Sequence, residues 1–170
     1  MNAFRRFALV LMLASLLASL SACGFALRGS GGSYNMPFKS IYLGFSDTSA
    51  LGTELRRNLR SGDRVVVVTD IDQAEARFEV LSENRSKSIL SLNAQGRVRE
   101  YMLNYTLVFR VLDNKGDELM APTEIALKRP LTFNENQVLA KEAEEALLYR
   151  NMQSDLVQQL LRRLAAVKPS

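Results

Sequence analysis

The chain has 170 residues, with 22 Lys and Arg against 18 Asp and Glu, one Cys, and neither His nor Trp. The lack of histidine excludes Ser-His-Asp and Cys-His catalysis and histidine metal sites. One Cys allows no intrachain disulfide and is too few for a thiolate zinc site, so no metal or other cofactor is expected. An apolar content of 47% with 24% charged residues is typical of a globular protein. This length predicts a single domain.

The N-terminal segment has the pattern of a secretory signal. Arg5 and Arg6 precede an almost wholly apolar run at residues 8–20. This run is shorter than the ~20 residues that a helix needs to cross the hydrocarbon core of a membrane. A positive start, a short apolar run and small residues after it are typical of a cleaved signal peptide. We therefore predict that residues 1–22 are removed from the mature protein.

The end of this segment carries a more specific motif. Leu20-Ser21-Ala22-Cys23 is similar to a bacterial lipobox, in which the cysteine receives the lipid. Each CH₂ group of an acyl chain that is buried in a membrane contributes about 0.8 kcal/mol of binding free energy. A lipidated Cys23 would therefore anchor the protein without a transmembrane helix. Gly24, rather than Asp, follows the cysteine, as in lipoproteins sorted to the outer membrane. The sequence thus predicts an outer-membrane lipoprotein anchored on the periplasmic side.

Removal of the signal also changes the charge. Taking Arg5 and Arg6 from the 22 basic residues leaves 20 against 18 acids, a formal net charge of +2. The sequence pI of about 9.4 is therefore partly a property of the signal, and no nucleic-acid partner is expected. Residues 23–36 are rich in Gly and Ser and predict a lipidated flexible tether. Residues 37–170 are predicted to form one domain.

The mature chain is predicted to begin with a strand, a helix and a second strand. Alternating apolar residues favour a strand over residues 39–45. Asp47, Thr48 and Ser49 are possible N-caps of a helix with a leucine stripe that ends at Gly62. The β-branched run at residues 65–69 predicts a strand covered on both faces.

The middle of the chain is predicted to be a series of antiparallel hairpins. A strand begins at Ala76, becomes too polar for a core strand at residues 82–88, and resumes at residues 89–92. Turns at residues 93–96 and 113–116 flank the clearest alternation in the sequence, residues 101–111. A further strand around Ile125 is predicted to end at Pro130.

A long C-terminal helix is predicted from a cap at Asn134 or Asn136 to about Ala166. Its apolar stripe consists of Val138, Tyr149, Met152, Leu156, Leu160, Leu164 and Val167, with Leu139, Val157 and Leu161 at its edge. The predicted order β-α-β-β-β-β-α indicates an α+β fold. We expect a two-layer sandwich, with a mixed, mostly antiparallel sheet of four to five strands covered by two helices.

Two charged clusters are candidates for function. Glu142, Glu144 and Glu145 resemble the carboxylates of a hydrolase, but a solvated acidic helix face is the favoured interpretation. The hairpin between Arg85 and Arg110 has one acid, Glu100, and a formal charge of +4; its basic residues are Arg85, Lys87, Arg97, Arg99 and Arg110. These residues would either bind phosphates of an anionic glycolipid or protect exposed strands from edge-to-edge association.

Several motifs together resemble one family. They are Cys23–Gly29 (CGFALRG), Arg99-Glu100-Tyr101 before the long strand, Asn136–Glu142 (NQVLAKE), Leu148-Tyr149, Met152, and Asp155–Leu164 (DLVQQLLRRL). With the lipobox, the order of elements and the length, they are similar to the outer-membrane lipopolysaccharide (LPS)-assembly lipoproteins of the LptE family. The resemblance covers essentially the whole mature chain.

The resemblance implies a non-enzymatic protein that acts as plug and assembly partner of the outer-membrane β-barrel LptD and contacts LPS. Lys141 matches a family lysine implicated in LPS binding. Ala94 stands where the family has a second binding arginine, so Arg97 and Arg99 become the candidates for that role, with Arg85 and Lys87 as further candidate LPS contacts. The alternatives are a free-standing envelope lipid-binding lipoprotein, or a hydrolase that uses the carboxylates at Glu142 and Glu145.

Overall fold

The computed structural model describes residues 34–62 and 65–168. These residues contain five strands and two α-helices. In chain order they are β1 Ser40–Gly44, α1 Ala50–Ser61, β2 Val66–Val68, β3 Ala76–Leu92, β4 Val98–Asp113, β5 Glu118–Thr132 and α2 Val138–Ala165. Two 3₁₀ turns, Ile71–Gln73 and Glu135–Gln137, precede β3 and α2. The order is the predicted one. The expected signal peptide, Cys23 and most of the tether lie outside the described residues.

The strands form one mixed sheet in the order β2-β1-β3-β4-β5. β1 is parallel to both β2 and β3, whereas β3, β4 and β5 form an antiparallel meander. Apolar side chains of both helices and of one sheet face join in a single core cluster, which includes Leu55, Phe78, Phe109 and Leu156. This is the predicted α+β class, confirmed with five strands.

Helix α1 begins and ends where its sequence indicates. The Ser49 side chain accepts a hydrogen bond from the Gly52 amide at 3.0 Å, which satisfies one free N–H of the first turn. Gly62 follows the last turn, and its amide donates to the carbonyl of Leu59. The predicted stripe of Leu51, Leu55 and Leu59 is buried in the core.

Gly52 is the position in α1 where a side chain has no room. A Cβ placed there would lie 2.6 Å from both Cβ and Cγ of Phe45, whose ring stacks on Phe78 and therefore cannot yield freely. Gly52→Ala gains about 1 kcal/mol of helix propensity but costs about 1–3 kcal/mol of overpacking. We expect net destabilisation in urea unfolding. Gly62→Ala is the control, because its Cβ would approach the Leu59 carbonyl only to 3.6 Å; equal effects of the two changes would contradict this account.

Two predictions about the sheet edges are wrong. β2 is an edge strand rather than a covered one. Val66 is 65% exposed because it alternates with Val67, which lies opposite the buried Ile41, and so faces away from the helices. Pro130 lies inside β5 instead of ending it, opposite Met102 of β4. β5 is the other edge strand, and an edge strand tolerates proline because an N–H on its free side has no ladder partner to lose.

The polar stretch at residues 82–88 does not interrupt β3, which runs as one strand through Leu92. A register shift between Val80 and Ser82 changes which side chains face the helices. Before the shift, Phe78 lies opposite Val111 on the covered face. After it, Arg85 lies opposite Tyr105 and Lys87 opposite Leu103. Because neighbouring residues of a strand alternate between faces, the shift turns both basic side chains toward α2.

Helix α2 is buried along its second half only. Six of its residues belong to the core: Met152, Leu156, Val157, Leu160, Leu161 and Leu164. Val138 and Leu139 were expected in the stripe, but they are 42% and 81% exposed. The first half of α2 instead contacts polar side chains of β3, as described below. No helix among the described residues is long and apolar enough to cross a membrane.

Candidate functional site

The five basic residues singled out from the sequence lie around the β3–β4 hairpin and the first half of α2. Arg85 and Lys87 come from β3, Arg99 from β4, Arg97 from the residue before β4, and Lys141 from α2. Their side chains do not form one continuous surface. The structure divides them into residues that connect the sheet to the helix and residues at the hairpin end.

Arg85 is held between two tyrosines. Its guanidinium lies 4.3 Å from the ring centre of Tyr105 and 5.8 Å from that of Tyr149. It donates hydrogen bonds to the Tyr105 hydroxyl at 2.8 Å and to Oε1 of Gln153 at 2.9 Å. The Tyr105 hydroxyl in turn donates to Oε1 of Glu83 at 2.6 Å. Burial raises the pKa of Tyr105, which keeps its hydroxyl a donor to that carboxylate. Arg85 therefore joins sheet to helix.

Lys87 makes a similar connection further along β3. Its Nζ lies 2.7 Å from Oε2 of Glu145 in α2 and 5.0 Å from the ring centre of Tyr101. The hydrogen bond to Glu145 raises the pKa of Lys87 above its usual range. The Tyr149 hydroxyl donates to the carbonyl of Ser86, the residue between the two basic side chains. Burial also raises the pKa of Tyr149. Lys87 and Glu145 thus neutralise each other across the layer boundary.

The other three candidates are grouped around the connection between β5 and α2. Lys141 donates to Oγ1 of Thr132 at 3.1 Å and to Oε2 of Glu144 at 2.8 Å. Arg97 pairs with Glu135 at 2.9 Å. The backbone carbonyl of Arg99 accepts a hydrogen bond from the amide of Phe133 at 2.8 Å. Residues 132–135 therefore bring Lys141, Arg97 and Arg99 into one region, although they are far apart in the sequence.

Lys141, Arg97 and Arg99 differ sharply in the exposure of their side chains. The Lys141 side chain is 16% exposed and the Arg97 side chain 60%. Arg99 is exposed and makes no ion pair with any residue that the structure describes. Arg97 and Arg99 are thus the two that present guanidinium groups to solvent, and such groups bind phosphate or carboxylate oxygens in a bidentate manner. Lys141 instead contacts Thr132 at the end of β5, which lies opposite Glu100 of β4.

The remaining basic residue of the hairpin lies elsewhere. Arg110 alternates with the buried Phe109 and Val111, so it lies on the face of the sheet opposite the helices. Its Nε pairs with Glu79 at 2.7 Å. The local charge of +4 is therefore spread over both faces of the sheet and does not form one patch.

This geometry gives little support to the two other interpretations of the charged clusters, protection of exposed strands and a carboxylate-dependent hydrolase. Beyond Glu79, β3 has no pairing partner on the side of β1 among the described residues, but Arg85 and Lys87 are turned toward α2 rather than along this free edge. Glu145 is paired with Lys87, and Glu144 with Lys141, whereas Glu142 is exposed. Such an acidic face, tied to basic partners, fits a structural role better than a pair of catalytic carboxylates.

The sequence reasoning missed the aromatic part of the site. Tyr101, Tyr105 and Tyr149 provide the ring faces on which Lys87 and Arg85 lie. The period-two pattern of β4 placed Tyr101 and Tyr105 on the covered face. The contacts of these rings with Arg85 and Lys87 could not be predicted, because the register shift in β3 is a property of strand pairing that sequence periodicity does not reveal.

Comparisons with known proteins identify relatives over nearly the whole chain. A sequence model of the LptE lipopolysaccharide-assembly family matches residues 38–164. A protein of Pectobacterium atrosepticum named LPS-assembly lipoprotein LptE is 30% identical, and the match covers 98% of this chain and 88% of that one. A protein of the same name from Yersinia enterocolitica is 26% identical over 94% of this chain and 76% of its own.

Solved structures have the same fold. The solution structure of an uncharacterized lipoprotein B from Nitrosomonas europaea is 41% identical, with a TM-score of 0.72 over 84% of this chain and 91% of that one. The crystal structure of rare lipoprotein B from Shewanella oneidensis is 27% identical, with a TM-score of 0.65 over 75% of this chain and 95% of its own. Both are described as lipoproteins, in agreement with the lipobox of this sequence.

Proposed function

The chain belongs to the LptE lipopolysaccharide-assembly family, and we propose that it is the plug and assembly partner of the outer-membrane β-barrel LptD. The family match over residues 38–164 is the observation that carries this proposal. The match spans every strand, α1 and all but the last residue of α2, so the whole domain, rather than one motif, is shared with proteins named for LPS assembly. We further propose that the protein has no enzymatic activity.

The surface chemistry of the domain supports a plug. The face of the sheet opposite the helices carries polar side chains such as Asn104, Thr106 and the Arg110–Glu79 pair. The interior of outer-membrane barrels is polar, so a plug there can keep a polar sheet face. No active-site cleft is required of such a protein, since it functions through surface contacts.

Contact with LPS is the second part of the proposal. Arg97 and Arg99 are the residues we assign to its phosphate groups, because their side chains are exposed at the hairpin end. Lys141 is proposed to hold this end in place through Thr132 and Glu144. Arg85 and Lys87 are proposed to support it from the sheet, since their side chains are turned toward α2 and are less exposed, at 39% and 40%, than that of Arg97.

The N-terminal segment supplies the proposed location. Residues 1–22 are proposed to direct export, Cys23 to carry the lipid, and residues 24–36 to connect the lipid to the domain. The protein would then be held at the inner leaflet of the outer membrane, with its domain free to enter a barrel.

Coexpression tests the barrel partnership directly. The lipoprotein and the barrel are expressed together, and an affinity tag on the lipoprotein is used for purification in detergent. We expect a one-to-one complex that survives size-exclusion chromatography. Recovery of the lipoprotein alone, with the barrel present in the same membranes, would contradict the plug and favour a free-standing lipid-binding lipoprotein.

Charge reversal tests the LPS contact. We expect Arg97→Glu with Arg99→Glu to weaken binding of purified LPS by on the order of tenfold or more, because charge-assisted hydrogen bonds contribute about 1.5–3 kcal/mol. Arg150→Glu with Arg162→Glu is the matched control, since both residues are exposed on α2. Binding is measured by titration with detergent-dispersed LPS. Equal loss in both pairs would indicate a general charge effect and remove the assignment.

A further inference from the structure

Three arginines of α1 have no partner among the residues that the structure describes. Arg56, Arg57 and Arg60 make no ion pair or side-chain hydrogen bond there, which is also true of Arg99, Arg150 and Arg162, whereas the other described arginines are all paired: Arg77, Arg85, Arg97, Arg110, Arg129 and Arg163. Arg56 is half-buried, and its guanidinium has no protein acceptor among the described residues. Such a group favours an anion from outside the chain.

Two of these arginines line a cleft. Arg56 and Arg60 stand one turn apart on α1, and both border a cavity of about 360 Å³ between this helix and the edge of the sheet. Residues three or four apart lie on the same helix face, and like charges there repel. Arg57, between them in sequence, does not line the cleft. A bound anion would relieve the repulsion between the two guanidinium groups.

The remaining walls of the cleft indicate the kind of anion. Apolar surface comes from Leu43, Phe45 and Val67, and hydroxyl groups from Tyr42 and Thr69. Asp47 also lines it, and is the one carboxylate against two guanidinium groups. A phosphate monoester carries about −1.5 to −2 charges, which matches two arginines better than a single carboxylate does. The cleft exceeds the size of a phosphate ion, and its apolar wall suits the carbon atoms next to the phosphate.

We propose that the cleft between α1 and the β1–β2 edge binds the phosphate monoester of an amphiphilic lipid, with Arg56 and Arg60 as its ligands. Two kinds of envelope lipid share this chemistry: the phosphorylated sugars of lipid A and the headgroup of phosphatidic acid. The site uses other elements than Arg97, Arg99 and Lys141, so it is a second anion site. It does not depend on the partnership with LptD.

Titration of the purified full-length mature protein tests the proposal. The probes are short-chain phosphatidic acid, detergent-dispersed lipid A and inorganic phosphate, and the readout is the amide NMR shifts of Arg56, Arg60 and Val67. We expect a lipid probe to bind more tightly than inorganic phosphate, and the tighter of the two lipids identifies the source. The Arg56→Gln, Arg60→Gln double variant should weaken this binding by on the order of tenfold or more.

A matched double variant supplies the control. Arg57→Gln with Arg162→Gln removes the same charge from exposed positions outside the cleft, and we expect its affinity to stay within about twofold of the parent. Three results would overturn the proposal: no shift with either lipid, equal losses in the two double variants, or inorganic phosphate binding as tightly as the lipids. Because the barrel is absent from this experiment, failure would leave the proposed complex with LptD unaffected.

Discussion

Phe78→Ala is expected to cost about 3–5 kcal/mol of unfolding free energy, the usual range for truncation of a buried phenylalanine. The Phe78 ring is fully buried and stacks between Phe45, at 5.3 Å, and Phe109, at 5.0 Å between ring centres. It therefore links the β1–α1 connection to the central strands. Since small domains are stable by only about 5–15 kcal/mol, this loss would remove a large share of the total stability.

Urea unfolding followed by far-UV circular dichroism measures this effect, because the chain has no tryptophan to report by fluorescence. Leu139→Ala is the control: it also truncates an apolar side chain, but Leu139 is 81% exposed. Its effect should stay within about 0.5 kcal/mol. A loss for Phe78→Ala below about 1 kcal/mol would mean that the three stacked rings do not form the centre of the core.

Cys23→Ser is expected to abolish lipid attachment completely, because the serine hydroxyl cannot form the thioether. Without the modification, we also expect the signal to remain uncleaved, so the protein should keep residues 1–22. Intact mass spectrometry and labelling with radioactive palmitate measure both effects in the same sample. Palmitate incorporation in the Cys23→Ser protein would exclude Cys23 as the lipidation site.

A second variant separates anchoring from processing. The uncleaved signal of Cys23→Ser would itself hold the protein to a membrane, so fractionation of that variant is uninformative. Replacing residues 1–23 by an ordinary cleavable secretory signal removes both attachments, and we expect the domain in the soluble periplasmic fraction. Retention of this variant in the outer membrane of cells that lack the barrel would show that the domain binds membranes without its lipid.

The sequence predicts those parts of the fold that depend on local pattern. β4 alternates regularly from Leu103 to Val111 because one of its faces is covered by helices along its length. The start of α1 follows from Ser49, whose side chain caps the first turn. Gly96 and Gly116 have positive φ angles of 75° and 92° in the two hairpin turns, a conformation that glycine adopts at no steric cost.

The remaining features depend on partners that are distant in sequence. The β-branched run around Val66 fits a central strand and an edge strand equally well, so coverage of β2 was predicted wrongly. The helical period predicts which face of α2 is apolar, but not where the apolar face of the sheet beneath it ends. Leu139 was therefore expected at the edge of the buried stripe, although it is exposed. In the candidate site, the family motif identified Lys141, whereas the contacts of Arg85 depend on a shift in strand pairing that only the folded sheet contains.

The position of β1 in the sheet has a consequence for the order of folding. β1 is the first strand of the domain, but it pairs in parallel with β2 and β3, which come later in the chain. Parallel pairs need long connections, and contacts between distant residues form slowly. The β3–β5 meander joins through tight turns and is free to form early. If the chain is exported N-terminus first, as proposed, β1 can pair only with the short strand β2 until β3 has also crossed the inner membrane, so the centre of the sheet is completed late.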